Sequence, residues 1–316
     1  MKLIIQIPCF NEAGSLAVTL AALPRRLDGF DQVEWLVIDD GSTDGTADVA
    51  RANGVHHIVS LGRNKGLARA FTAGLDACIE LGADVIVNTD ADNQYDAADI
   101  PKLVGPVLRG EAEIVVGARP IDAIRHFSPV KKALHKAGSF VVRVASKTEI
   151  ADAPSGFRAI SRGAAMMLNV FSDYTYTIET IIQAGQKNMA IISVPVGVNP
   201  ELRPSRLITS IPNYIIRSAM TIVRIFAVYK PFRFFAAIGA GLFAAGFVIG
   251  LRFLWYYFKM GGDGHVQSLI LAAVLLGIGF QTVLVAFLAD LLAVNRRLLE
   301  DVRYRVRSGR NSSESG

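Results

Sequence analysis

Val85-Ile86-Val87-Asn88-Thr89-Asp90-Ala91-Asp92-Asn93-Gln94 is the stretch whose reading decides the fold. Its apolar β-branched start reads as a strand buried on both faces, and the turn to Asn, Thr and Asp marks the strand's end. Working outward, the pattern recurs. Leu3–Ile7 runs into Pro8-Cys9-Phe10-Asn11-Glu12, and Glu34–Ile38 runs into Asp39-Asp40-Gly41-Ser42. Further strands are predicted at His57–Leu61, Val85–Thr89, Ile114–Gly117 and Ile191–Val196, with helical stretches near 12–22, 44–52, 66–81 and 96–108. Strands and helices in alternation predict a layered, Rossmann-like α/β fold, whose ligands bind at the C-terminal ends of its strands.

Those ends carry the acids. Asp90 and Asp92 stand two residues apart just after a strand, so both can face a divalent cation where the chain turns. Magnesium or manganese takes one or two protein carboxylates and completes its shell with phosphate oxygens and water, an arrangement suited to a nucleoside diphosphate. The phosphate cradles of other nucleotide enzymes are missing: there is no Walker A loop and no G-x-G-x-x-G. Serine-hydrolase elbows and H-E-x-x-H are absent too. Cys9 and Cys78 are too few for a disulfide scaffold or a four-Cys zinc site. His56 and His57 read as strand or surface residues.

Charge divides the chain. Residues 1–200 hold 19 basic and 22 acidic side chains, and residues 201–316 hold 14 and 6. A basic half points to nucleic acid or to a membrane surface. Membrane is favoured here, because the same half has two long apolar runs and the mean hydropathy is +0.36. Phe234–Phe258 contains one charge, Arg252, and Val266–Val294 contains one, Asp290. About 20 apolar residues cross a bilayer core as a helix. The competing reading is a soluble buried hairpin. Arg224, Lys230 and Arg233 precede the first run, and Arg296, Arg297, Arg303, Arg305 and Arg307 follow the second. The positive-inside rule puts both termini in the cytoplasm. Between 206 and 229, Arg206, Arg217 and Arg224 share one helical stripe among apolar residues, as in helices that lie in the headgroup plane. The N-terminal MKLIIQIPCFNE is too short in its apolar part for a signal peptide. The tail 308–316 is expected to fray.

IPCFNE, IDDGSTDGT, DADNQ, VGAR and SGFR together resemble glycosyltransferase family 2, and within it the polyprenyl-phosphate glycosyltransferases. The resemblance implies a GT-A (Rossmann-like) glycosyltransferase domain over 1–205 and amphipathic interface helices over 206–233. A two-helix transmembrane hairpin over 234–294 and a basic cytoplasmic tail over 295–316 complete the implied organisation. It implies that Pro8, Phe10, Glu12, Asp39, Asp40, Asp90 and Ala91 border the nucleotide sugar, and that Asp90, Asp92 and Gln94 serve Mg2+ or Mn2+. Arg119, Lys131, His135, Ser155, Arg203 and Arg206 fall to the acceptor phosphate, with Ser205 in the same closing segment. Lys131 and His135 stand where several relatives have Arg and Ser. Asp152 matches the acceptor-side loop, where positioning the acceptor and acting as a base are both open.

The expected function is inverting transfer of a hexose from a nucleotide sugar, a UDP-hexose or GDP-mannose, to a polyprenyl phosphate such as undecaprenyl or dolichyl phosphate. Asp90, Asp92, Asp152 and Arg119 are its expected catalytic residues. The expected partners are these two substrates and the lipid bilayer, with no nucleic acid; a homo-oligomer is left open. Two alternatives stand beside it. One is a polysaccharide-synthase-like enzyme, disfavoured because Q-x-x-R-W and further spans are lacking; the other is a non-catalytic nucleotide-sugar-binding scaffold.

Overall fold

The computed structural model describes residues 1–121, 129–170, 176–200, 220, 223–224, 227–261 and 266–314, without the side chains of 129–131, 133–135, 260, 303, 305 and 307–314. The chain divides into two compact units, Met1–Ser218 with Arg303–Gly316, and Ala219–Val302.

In the first unit, strands β1 (Lys2–Cys9), β2 (Gln32–Asp39), β3 (His57–Ser60), β4 (Val85–Asn88), β5 (Ile114–Ala118), β6 (Arg158–Ser161) and β7 (Ile191–Pro195) form one sheet. Its order is β3-β2-β1-β4-β6-β5-β7. Helices α1 (Ala13–Ala22), α2 (Thr46–Ala52), α3 (Leu67–Glu80), α4 (Ile100–Leu108), α5 (Pro129–Ser146), α6 (Arg162–Met167) and α7 (Thr177–Gln186) complete the α/β layers. Leu3, Ile4, Ile5 and Ile7 of β1 are all fully buried, which is what a strand between two helical layers requires. Helix α3 lies close against β1 and β2: a Cβ on Gly74 would stand 2.5 Å from Gln6 Oε1 and 2.8 Å from Ile38.

Six strands match the sequence expectation to within two residues at either end. The seventh, β6, was not anticipated. Arg158-Ala159-Ile160-Ser161 is short and opens on a charge, so it lacks a strand signature. It is a strand because β4 and β5 flank it, pairing antiparallel with it on both sides. This reversal shapes the site. Parallel β1, β2, β4 and β5 all leave the sheet at one edge, with Cys9 beside Asp39 and Gln6 beside Asn88. Because β6 runs the other way, the turn that precedes it arrives at that same edge.

The second unit contains α8 (Pro231–Met260) and most of α9 (Val266–Glu314). Pro231–Lys259 and Val266–Val302 are long and apolar enough to cross a membrane, with mean hydropathies of 2.2 and 2.4. Only 11% and 17% of their most apolar windows are buried, which is the reverse of a soluble core hairpin. The two helices approach closely where side chains are absent. A Cβ on Gly279 would stand 2.6 Å from Phe243 N, and one on Gly246 would stand 2.9 Å from Leu276 N. Helix α9 continues to Glu314, so the tail expected to fray from 308 is helical over most of its length. Segment 206–229, expected to be an interfacial helix, lies mostly outside the described residues.

Candidate active site

The edge where the parallel strands end is built first by loops that hold one another. Asn11, with φ of 55°, donates its backbone N–H to Ser42 Oγ and accepts the Thr43 N–H at its side chain. Glu12 donates its N–H to Thr46 Oγ1 and accepts Ser15 Oγ at 2.7 Å. Pro8 is buried, and Phe10 is 39% exposed at the mouth. Asp39 accepts the Ser42 N–H at 2.9 Å. Asp40 is a loop-holder: its two oxygens accept the Lys65 and Gly66 N–H groups at 2.7 and 2.8 Å. Gly41, at φ +76°, allows that loop to close, since a Cβ there would stand 2.5 Å from the Arg63 backbone.

The β4 end comes next. Ala91 is fixed by Thr19 Oγ1, which donates to its carbonyl at 2.8 Å. Asp92 accepts the Gln94 N–H at 3.1 Å across Asn93, whose φ is 55°. Asp90 opens partly onto the crevice, yet burial first and the Asp92 carboxylate second push its carboxyl up to about 7, against the pull of Arg119 and Arg158. Two like charges forced together fit a site made for a cation. Among the described residues no three His, Cys, Asp or Glu form a metal cluster. The expected donors, two carboxylates and the Gln94 amide, would suit a hard divalent ion that draws its other ligands from phosphate and water.

Across the crevice, Arg119 leaves β5 and grips Asp152. Its Nε donates to Oδ2 at 2.7 Å, its Nη2 to Oδ1 at 3.1 Å, and its backbone N–H to Oδ2 at 3.2 Å. Its Nη1 reaches Gln94 Oε1 at 3.5 Å, tying the pair to the carboxylate loop. Asp152 is 1% exposed. The fork is thus already engaged, and among the described residues two of the five guanidinium N–H groups have no acceptor. Ser155 Oγ is buried next to the Tyr95 hydroxyl and, among the described residues, makes no well-formed hydrogen bond, which leaves it capacity for a bound group. Gly156 forms the wall behind Asp90, where a Cβ would stand 2.9 Å from Oδ1.

The structure therefore brings Asp90, Asp92, Gln94, Arg119, Asp152, Ser155 and Gly156 to one end of the sheet, with Phe10, Glu12 and Asp39 beside them. Lys131 and His135 lie on α5, and their side chains are outside the described ones; Arg203, Ser205 and Arg206 are outside the described residues altogether. Sequence reasoning missed four contributors. Asn88, inside a strand, donates to the Gly156 carbonyl and to Tyr176 Oη at 2.8 and 2.9 Å. Tyr176 stacks on Phe71 at 3.8 Å between centroids. Asn199 ties down the carboxylate loop by donating to the Asn93 and Tyr95 carbonyls. Arg158 lies under the acceptor-side turn; its only sequence signal was its place in SGFR.

Comparison with known proteins agrees with this architecture. The chain is 28% identical over 218 residues to an undecaprenyl-phosphate mannosyltransferase of Micrococcus luteus, spanning 66% of this chain and 88% of that protein. It is 28% identical over 212 residues to a UDP-N-acetylglucosamine–dolichyl-phosphate N-acetylglucosaminyltransferase of Methanococcus voltae, spanning 60% and 82%. In fold it is similar to glucosyl-3-phosphoglycerate synthase from Mycobacterium tuberculosis, crystallised with Mn2+ and UDP, at a TM-score of 0.56. That match has 21% identity and covers 72% of this chain and 78% of the other. The model of glycosyl transferase family 2 matches residues 4–167, just over half of the chain. That match begins in β1 and ends with α6, so it takes in Asp39, Asp90, Asp92, Arg119 and Asp152, and the chain belongs to glycosyl transferase family 2.

Proposed function

We propose that this glycosyltransferase moves a hexose from a nucleoside-diphosphate sugar to a polyprenyl phosphate, with inversion, at the cytoplasmic face of a membrane. The observation that carries the reading is the pairing of two groups across one crevice. The Asp90–Asp92 carboxylates suit a metal-bound diphosphate, and the Arg119–Asp152 fork keeps spare N–H groups for a second phosphate. Two outward-facing apolar helices and the names of the two relatives support a lipid acceptor. Residues 1–205 would be the catalytic domain, 206–233 interfacial helices, 234–294 the membrane hairpin and 295–316 a cytoplasmic tail.

Asp90, Asp92 and Gln94 would hold Mg2+ or Mn2+, which when bound supplies positive charge against the charge developing on the leaving diphosphate. Phe10, Glu12, Asp39 and the buried Pro8 border the base and ribose, and Ala91 with Asp40 holds the loops around them. Arg119 receives the acceptor phosphate on its remaining N–H groups, beside the buried Ser155 hydroxyl. Lys131, His135, Arg203 and Arg206 are proposed to add charge on the same side. A phosphate monoester, with a second pKa near 6, is already ionised at neutral pH. It attacks the anomeric carbon without needing a strong base, so Asp152 serves by orienting Arg119. One displacement inverts the centre: an α-linked donor gives a β-linked lipid product.

The test is a panel of UDP- and GDP-hexoses against polyprenyl phosphate and, separately, against soluble phosphates such as 3-phosphoglycerate, with products read by mass. Metal-dependent formation of a polyprenyl monophosphate sugar, abolished in Asp92→Asn, is the expected result. Transfer to the soluble phosphate alone would overturn the acceptor, and full activity in excess chelator would overturn the metal assignment.

A further inference from the structure

Arg158 opens β6 opposite Asn88 of β4 and has no exposed surface. A guanidinium buried this completely ordinarily meets a carboxylate. This one donates to neutral oxygens: Nε to the Ser155 carbonyl at 2.8 Å, Nη2 to the Ala153 carbonyl at 2.9 Å, and Nη1 to Thr180 Oγ1 at 2.5 Å. It stands 5.8 Å from the Tyr176 ring centre, and burial draws its pKa down. A methionine of similar length would fill the space without that desolvation, so packing alone does not account for the charge.

Its bonds say what the charge does. Two of the three end on carbonyls that flank Pro154, inside the turn from Asp152 to Gly156. The far end of that turn is held independently, because Gly156 donates its N–H to Tyr95 Oη and its carbonyl accepts from Asn88. The near end carries Asp152. Arg119 bonds the Asp152 carboxylate from outside the turn, while the other backbone contacts within it are longer: Ala153 N–H to Ser139 Oγ at 3.4 Å and Ser155 N–H to the Asp152 carbonyl at 3.3 Å.

We propose that Arg158 is a positioning residue for the acceptor: its buried fork fixes the Ala153 and Ser155 carbonyls, and thereby sets Asp152 and the Arg119 guanidinium that Asp152 holds. The inference rests on reading Arg119 as the acceptor-phosphate ligand. It assigns the Arg158 hydrogen bonds to the acceptor half of the site; the Arg158 charge also acts through space on Asp90, so donor affinity is measured beside acceptor affinity.

The experiment compares Arg158→Met, Arg158→Lys and Thr180→Val in the full-length protein reconstituted in lipid. Calorimetry with Mn2+ and the nucleoside diphosphate of the preferred donor gives donor-side affinity and the number of folded sites. Initial rates are then taken against each substrate separately, per folded site. Arg158→Met also removes a charge that acts on Asp90, so nucleotide affinity should weaken, but by less than the several-fold rise in KM for polyprenyl phosphate, while kcat falls about 10- to 100-fold, the effect expected of losing charge-assisted bonds. Arg158→Lys should recover part of this, because an ammonium reaches one carbonyl but cannot bridge two. Thr180→Val keeps both carbonyl bonds and should stay near wild type in KM. A merely structural role would lower the number of folded sites and leave kcat and both KM values per site unchanged; that result overturns the proposal. Should Arg158→Met fail to fold, the same split is read from Arg158→Lys. Wild-type protein that ignores polyprenyl phosphate refutes the acceptor class instead, and the Arg158 split is then read against the phosphorylated acceptor that it does use.

Discussion

Replacing Gly156 by alanine adds a methyl group where the crevice wall has no room. The new Cβ would stand 2.9 Å from Asp90 Oδ1, 3.2 Å from Asp90 Oδ2 and 2.9 Å from Tyr176 Oη. Gly156 is outside the left-handed region, so its backbone accepts alanine and the whole effect is steric. One of the three neighbours must yield. Tyr176 is fully buried, stacked on Phe71 and hydrogen-bonded by Asn88. The Gly156 backbone is tied at its N–H and its carbonyl. Asp90 opens onto the crevice and is the group that moves.

The shift needed is a few tenths of an ångström at the least, applied to one of two carboxylates expected to hold the cation. Overpacking of this kind costs about 1–3 kcal/mol in stability. A misplacement approaching 1 Å costs about 100-fold in rate, so kcat should fall by about 10- to 100-fold. The Mn2+ concentration for half-maximal activity should rise, while KM for the acceptor changes little. Gly163→Ala is the matched control, since a Cβ there meets nothing within 4 Å. Thermal melts separate the stability loss from the rate loss. A folded Gly156→Ala protein with wild-type kcat and wild-type metal dependence would refute the idea that this wall sets the Asp90 carboxylate.

Arg119→Ala strips the fork's three hydrogen bonds and its charge from the buried Asp152 carboxylate, so stability should fall by about 3–5 kcal/mol in denaturant titration. The surviving folded enzyme should show a raised KM for polyprenyl phosphate, and Arg119→Lys should restore only part of it; a weakened donor instead would move Arg119 to the diphosphate side. Gly279→Leu should pry α8 from α9 and lower the melting temperature in detergent, because its Cβ meets the Phe243 backbone at 2.6 Å. Gly277→Leu, with nothing within 4 Å, should not, and equal melting of the two variants would refute the contact. Tags at residues 1 and 316 should both report cytoplasm, while the thiol in Gly262→Cys should be labelled from outside intact cells; labelling only after permeabilisation contradicts the proposed hairpin.

Much of the fold was legible because the sheet is built from runs that need little context. Ile4, Ile5 and Ile7 are buried on whichever face they take, so β1 can be read without knowing its neighbours. Strand β6 has no such independence. Arg158-Ala159-Ile160-Ser161 is extended because β4 and β5 stand on either side of it, and no pattern within four residues encodes two partners that lie 42 to 76 positions earlier. The same limit separates Asp39 from Asp40. Adjacent in sequence and alike in chemistry, they were both assigned to the donor, yet both oxygens of Asp40 are engaged by the Lys65 and Gly66 amides.

The acceptor side shows why this limit matters for function. Arg119 and Asp152 were each singled out, one for binding phosphate and one for positioning or base chemistry, as though they worked apart. They are 33 residues apart in sequence and meet because β6 is reversed beside β5, which returns the chain to the edge that β5 leaves. Once joined, their roles are no longer separable. Asp152 accepts three hydrogen bonds from Arg119, so taking a proton would weaken the grip that aims the guanidinium. A phosphate that is already ionised brings no proton that must be removed. In the proposed reaction the pair is therefore better suited to hold an acceptor still than to deprotonate it, and the role proposed for the buried Arg158 beneath the turn is part of that same task.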